Sequence, residues 1–142
     1  MRISKRRAGQ VLTTLGVLFL LWDSLIKLMT ITPVIDSFGR LGYPVELALW
    51  IGLVELACLT VHLVPRTAGL GAVLLTGYLG GAVATHVRIG DPLFSHIFFP
   101  LYIAALIWGG LYLRDPRVRA SFHDAVAGRS HGDVDFGASA ST

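Results

Sequence analysis

Cysteine is nearly missing from this sequence. Cys58 is the single one among 142 residues, so no disulfide closes within the chain and no C-x-x-C pair exists. Dithiol–quinone exchange carried by this polypeptide alone is thereby excluded. Charge is also scarce: Asp, Glu, Lys and Arg make up 15% of the residues, where soluble domains hold about a quarter. The phosphate-cradling G-x-x-x-x-G-K-[ST], the serine-hydrolase G-x-S-x-G and the zinc-binding H-E-x-x-H patterns are absent, which leaves those three chemistries without support. The basic residues have no interleaved aromatics and no separate domain, so a nucleic-acid partner is not expected.

What the chain has is apolar length. Hydrophobic residues make up 54% of it, and the mean hydropathy is +0.66. They gather in four runs, at about 10–31, 44–64, 67–87 and 93–113. Each suits a helix crossing ~30 Å of hydrocarbon, and none alternates as a membrane barrel strand does. The expected fold is all-α: a four-transmembrane-helix antiparallel bundle over 10–119, a basic segment over 1–9, and a flexible, disordered tail over 120–142. The first run, Val11 to Trp22, is as short as a signal-peptide core. Asp23, Ser24, Leu25, Ile26 and Lys27 follow it without an A-x-A cleavage pattern, so a retained helix is expected. Pro33, Asp36, Gly39, Arg40 and Gly42 read as a polar turn-forming linker. Pro44 suits the first turn of the second span. In the tail, Val118, Phe122 and Val126 share a helical face that suits the membrane surface.

Lys and Arg set orientation. Arg2, Lys5, Arg6, Arg7, Arg66, Arg114, Arg117 and Arg119 fall on one side, with only Arg40 and Arg88 on the other. Both termini are therefore expected in the cytoplasm of a multi-pass protein of the cytoplasmic membrane, with the lipid bilayer as its surroundings. Gly77, Gly80 and Gly81 lie in the third span, with Gly77 and Gly81 spaced G-x-x-x-G. That spacing suits close helix packing, inside the bundle or through a homo-oligomer face.

Ionisable side chains in hydrocarbon are costly and usually face a bundle interior or water. With the topology above, Asp23, Lys27, Glu46, His86, Arg88 and His96 fall toward the outer half, with Glu55 near mid-depth beneath them and His62 near the cytoplasm. Asp23 and Lys27, spaced i, i+4 with the acid first, also suit an intrahelical ion pair. Glu46 suits the dipole at a helix start. Glu55 either pairs with a cation from another helix or is protonated by burial. Cys58 and His62 can share its face, but ligands spread over two turns do not close a tetrahedron. His86 and His96 flank one turn and can meet across it, without E-x-x-H spacing and at the rim, where neither a metal nor a haem is expected. Tyr78 is deep, and its hydroxyl needs a partner. The candidate polar cluster is therefore Asp23, Lys27, Glu55, Tyr78, His86, Arg88 and His96.

The stretch Tyr78-Leu-Gly-Gly-Ala-Val-Ala-Thr-His-Val-Arg88 is similar to the third-helix signature of the DoxX-like family of small bacterial membrane proteins. Asp91-Pro92, Phe99-Pro100, Trp108 and Arg114-Asp115 match the rest of that pattern, and Gly52 with Glu55 matches its G-x-x-E second helix. The resemblance covers about residues 10–120. It implies a four-helix integral membrane protein. The family takes its name from a membrane subunit of a thiosulfate–quinone oxidoreductase, and most members have no assigned reaction. Two roles follow as expectations. One is an auxiliary subunit of a redox or quinone-linked assembly, with a redox protein partner and quinone as its cofactor. The other is a small-molecule-binding protein, enzyme or carrier with a polar cavity opening outward. There Arg88 and the histidines would bind an anionic or carbonyl oxygen, and Glu55 would bind or move a proton.

Overall fold

The computed structural model describes residues 4–126. Among these, all regular structure is helical: α1 (Lys5–Met29), α2 (Thr32–Leu41), α3 (Leu47–Leu63), α4 (Ala68–Arg88), a π-helical turn (Leu93–Ile97), α5 (Phe99–Arg114) and α6 (Pro116–Val126). Lys5–Met29, Ala68–Arg88 and Leu93–Arg114 are long and apolar enough to cross a membrane; Leu47–Leu63 is apolar but has 17 residues.

The four apolar helices pack as a closed ring, α1 on α3, α3 on α4, α4 on α5 and α5 back on α1. What holds the ring together is a set of narrow stripes. The buried side of α1 is Gly9, Thr13, Gly16, Leu20 and Ser24, and that of α3 is Ala48, Gly52, Glu55, Leu59 and His62. Leu20, Leu59, Leu75, Ile107 and Leu111 meet at the centre. Large apolar side chains such as Val11, Trp22, Trp50, Leu70 and Val73 lie exposed on the outside. Small and polar residues share the interior with the central leucines and Ile107, while bulky apolar side chains also cover the outside, which suits a lipid solvent rather than water. The buried Ser24 hydroxyl bonds back along its own helix to the Leu20 carbonyl at 2.7 Å, so its cost in hydrocarbon is met locally, whereas the buried Thr13 hydroxyl has no partner among the described residues.

Four sequence expectations change. The polar linker after the first span is a helix, α2. Pro33 lies in its first turn and Gly42, at φ 72°, closes it, so the residues taken for turn formers are helix punctuation. Val34 and Phe38 pin α2 to Ala48. The second span starts a turn later than Pro44, because the Pro44 and Val45 carbonyls accept the Leu47 and Ala48 amides in a leading turn. The fourth span is broken at Phe98. Pro100 has no N–H for the His96 carbonyl, and the Phe98 amide bonds the Leu93 carbonyl instead, at 2.8 Å. The basic segment from Lys5 and the tail as far as Val126 are helical. Phe122 of α6 packs edge-on against Trp108 and Tyr112 at 5.8 and 6.1 Å, and Arg119 donates to the Tyr112 and Leu113 carbonyls at the end of α5. The remaining tail, 127–142, lies outside the described residues.

Candidate functional site

Gly52 decides where α1 and α3 touch. A Cβ there would stand 3.0 Å from Lys27 Cβ and 3.2 Å from the Ser24 carbonyl oxygen. The missing side chain lets α1 close on α3, and Glu55, three residues on and on the same face, then comes within reach of Lys27. The G-x-x-E spacing thus has a physical reason: one residue makes room and the next inward-facing one receives the cation.

Lys27 Nζ donates to Glu55 Oε2 at 2.9 Å, to the Tyr78 hydroxyl at 2.8 Å, and to Asp23 Oδ2 one turn back on α1. Tyr78 in turn donates to Glu55 Oε2 at 2.9 Å. Three helices therefore meet at one ammonium. The Glu55 side chain is 0% exposed, that of Lys27 14% and that of Asp23 30%. Glu55 is paired with a cation from another helix, the first of the two alternatives open from the sequence, and Asp23 pairs with Lys27, as its i, i+4 spacing suits. Glu55 Oε1 has no partner.

Asp23, Lys27 and Tyr78 line a cavity of about 680 Å³, within the range of small-molecule sites. Its walls are aromatic and apolar, with Phe19 from α1, Phe38 from α2, and Phe99 and Ile103 from α5. Gly77, Gly81 and Ala82 of α4 leave it open. A Cβ at Gly77, Gly80 or Gly81 would meet nothing within 4 Å. These glycines do not bring helices of the chain together, and two of them face the cavity. The close approaches are at Gly52, at Gly16 against Ile107, at Gly9 with Gly110, and at Gly71, where a Cβ would fall on the His62 backbone.

His86, two turns and more along α4 from Tyr78, and His96 of the π-helical turn also line the cavity. Their rings stand edge to face at 5.7 Å, His96 being carried there by the π-helical turn. Sequence reasoning missed two neighbours. Asp91 accepts from His86 Nδ1 at 2.5 Å and from Arg40 of α2 at 2.5 Å. The His86 hydrogen bond first, and Arg40 after it, hold the Asp91 carboxyl below the usual carboxylate range. The signal was present as Asp91-Pro92, taken from sequence as part of the family pattern; Gly90, at φ 70°, makes the turn that brings Asp91 back to His86. Arg88 is not part of the cavity lining. Its guanidinium donates to the Leu41 carbonyl and lies 5.4 Å from the Tyr43 ring centroid. An anion-binding role for Arg88 beside the histidines has no geometric basis here.

His62 is buried at the opposite end of α3, its Nδ1 bonded to the Ala68 carbonyl at 2.9 Å, and Cys58 is half-buried beside Leu59. Among the described residues no three His, Cys, Asp or Glu side chains gather to hold a metal ion.

A sequence model of the DoxX-like family matches residues 11–110. No curated protein and no solved structure matches the chain. The chain belongs to the DoxX-like family, and with its long apolar helices it is a membrane protein.

Proposed function

From its place in the DoxX-like family and the geometry of its cavity, we propose that this membrane protein binds a small amphipathic molecule between its helices. The observation that carries this reading is the union of Lys27, Asp23, Glu55 and Tyr78 from three helices at one end of a cavity of about 680 Å³. A polar end beside aromatic walls fits a ligand with one polar head and an apolar body. The role of auxiliary subunit in a redox or quinone-linked assembly draws on the resemblance alone, whereas binding draws also on the cavity.

The proposal includes the arrangement in the membrane. All four helices of the ring cross the cytoplasmic membrane, α3 together with its leading turn. Both termini and the Arg66 turn face the cytoplasm, in keeping with the distribution of Lys and Arg. The cavity then lies in the outer half, with α2 against its side. Native mass spectrometry of protein released gently from membranes tests binding. Wild-type protein is expected to carry or take up a small molecule that Gly81→Trp, which fills the cavity, does not. Equal occupancy in the two, or none in either after incubation with membrane extract, would overturn the reading.

A further inference from the structure

The hydrogen-bond inventory of the Lys27 cluster sets the chemistry of the ligand head it would receive, given the binding reading above. An ammonium has three N–H donors, and Lys27 spends all three, on Asp23, Glu55 and Tyr78. The Tyr78 hydroxyl spends its single proton on Glu55 Oε2. No donor in this cluster is left for a ligand. The atoms left over are acceptors. Asp23 lines the cavity with a 30% exposed side chain, and only its Oδ2 is engaged. Behind it Glu55 Oε1 is buried without a partner.

Charge points the same way. Two carboxylates face one ammonium, so with both ionised the cluster carries one uncompensated negative charge. In a partly dry site that charge acts far more strongly than in water. At the other end, Asp91 offsets Arg40. His86, donating from Nδ1 to Asp91, keeps a lone pair on Nε2 when neutral. That end offers an acceptor at His86 beside Arg40 and His96, which line the cavity too, and Arg88, the cation expected from sequence to receive an anion, is turned to the Leu41 carbonyl.

We infer that the ligand is an organic ammonium, with its charged head at Asp23 and an apolar or aromatic body against the wall formed by Phe19 and Phe99, whose rings pack edge to face at 5.0 Å. At the Lys27 cluster a carboxylate or phosphate head would face Asp23 with no donor left for it, and a bare carbonyl would find none there either. Binding a cation neutralises the excess charge without breaking any of the three Lys27 bonds.

Three probes with one body and different heads test this: 3-phenylpropylammonium, 3-phenylpropanol and 3-phenylpropionate. Each is titrated calorimetrically into the full chain in nanodiscs of zwitterionic lipid. The ammonium is expected to bind at least about tenfold more tightly than the carboxylate, with the alcohol between them. Asp23→Asn keeps the shape of the site and is expected to bring the ammonium to within about threefold of the alcohol. Carboxylate binding equal to or tighter than ammonium overturns the inference and leaves the cavity reading standing. So does an ammonium preference that survives in Asp23→Asn. Failure of all three probes to bind, in protein that melts cooperatively, overturns both.

Discussion

Lys27 of α1 and Glu55 of α3 form an ion pair of 2.9 Å with the glutamate side chain 0% exposed. A carboxylate cut off from water and lipid alike depends on that ammonium. Removing one partner of a buried pair leaves an uncompensated charge and costs about 3–5 kcal/mol, whereas replacing both with apolar residues is far milder. Lys27→Met is therefore expected to lower the melting temperature of the detergent-solubilised protein sharply. Lys27→Met/Glu55→Leu should recover most of the loss. A double variant no more stable than Lys27→Met would show that the pair does not organise the bundle.

Glycines on the same helix face different neighbours. Gly71→Ala places a methyl group on the His62 backbone and is expected to cost about 1–3 kcal/mol through forced separation of α3 and α4. Gly77→Ala, with open space at its Cβ position, should stay within about 0.5 kcal/mol of wild type. Thermal melts of the two variants in one detergent compare them directly.

Asp91 ties α2 to the turn after α4 through Arg40 and His86. Its carboxyl is held below the usual range, first by the His86 hydrogen bond and then by Arg40. A depressed folded value means that the tie is fully present above the unfolded carboxylate range, about pH 4. It is lost as pH falls through the still lower folded value. Hydrogen exchange of the α2 amides, corrected for the intrinsic rate, should therefore hold steady down to about pH 4 and rise below it. Asp91→Asn should raise α2 exchange at neutral pH and flatten the acid response.

The topology has a labelling test. With Cys58→Ala as background, single cysteines at Gly39 and at Arg66 are expected to react with a membrane-impermeant maleimide from opposite sides of the bilayer. Gly39 should label in intact cells and Arg66 only after lysis. Both labelling from one side would remove the proposed arrangement of four crossings.

Much of the fold was legible before any coordinates. Because a helix in lipid must bury its backbone polarity along its own length, runs of about 20 apolar residues bounded by Arg, Asp and Pro place α4 and the C-terminal ends of α1 and α5 to within two residues, but not the starts of α1 and α5. The sequence marked Asp23, Lys27, Glu55, Tyr78, His86 and His96 as too polar for the lipid face; the structure bonds the first four to one another and sets His86 and His96 in a second group with Asp91. The helix α2 was not, because Pro33 and Gly42 read equally well as a turn or as the first turn and cap of a helix. The break at Phe98 was not either, although Pro100 carries its cause.

Sequence alone determined that the protein is helical, apolar and low in charge, and which side chains are too costly to leave in lipid. The tertiary structure decided their partners. Lys27 spends its donors on Asp23, Glu55 and Tyr78, Arg88 turns to the Leu41 carbonyl, and Gly52 and Gly71 rather than Gly77 and Gly81 meet a neighbouring helix. The reason is rotational. Where both the lipid face and the core face of a helix are apolar, hydrophobic periodicity does not fix its rotation about its own axis, and only packing against the other helices does.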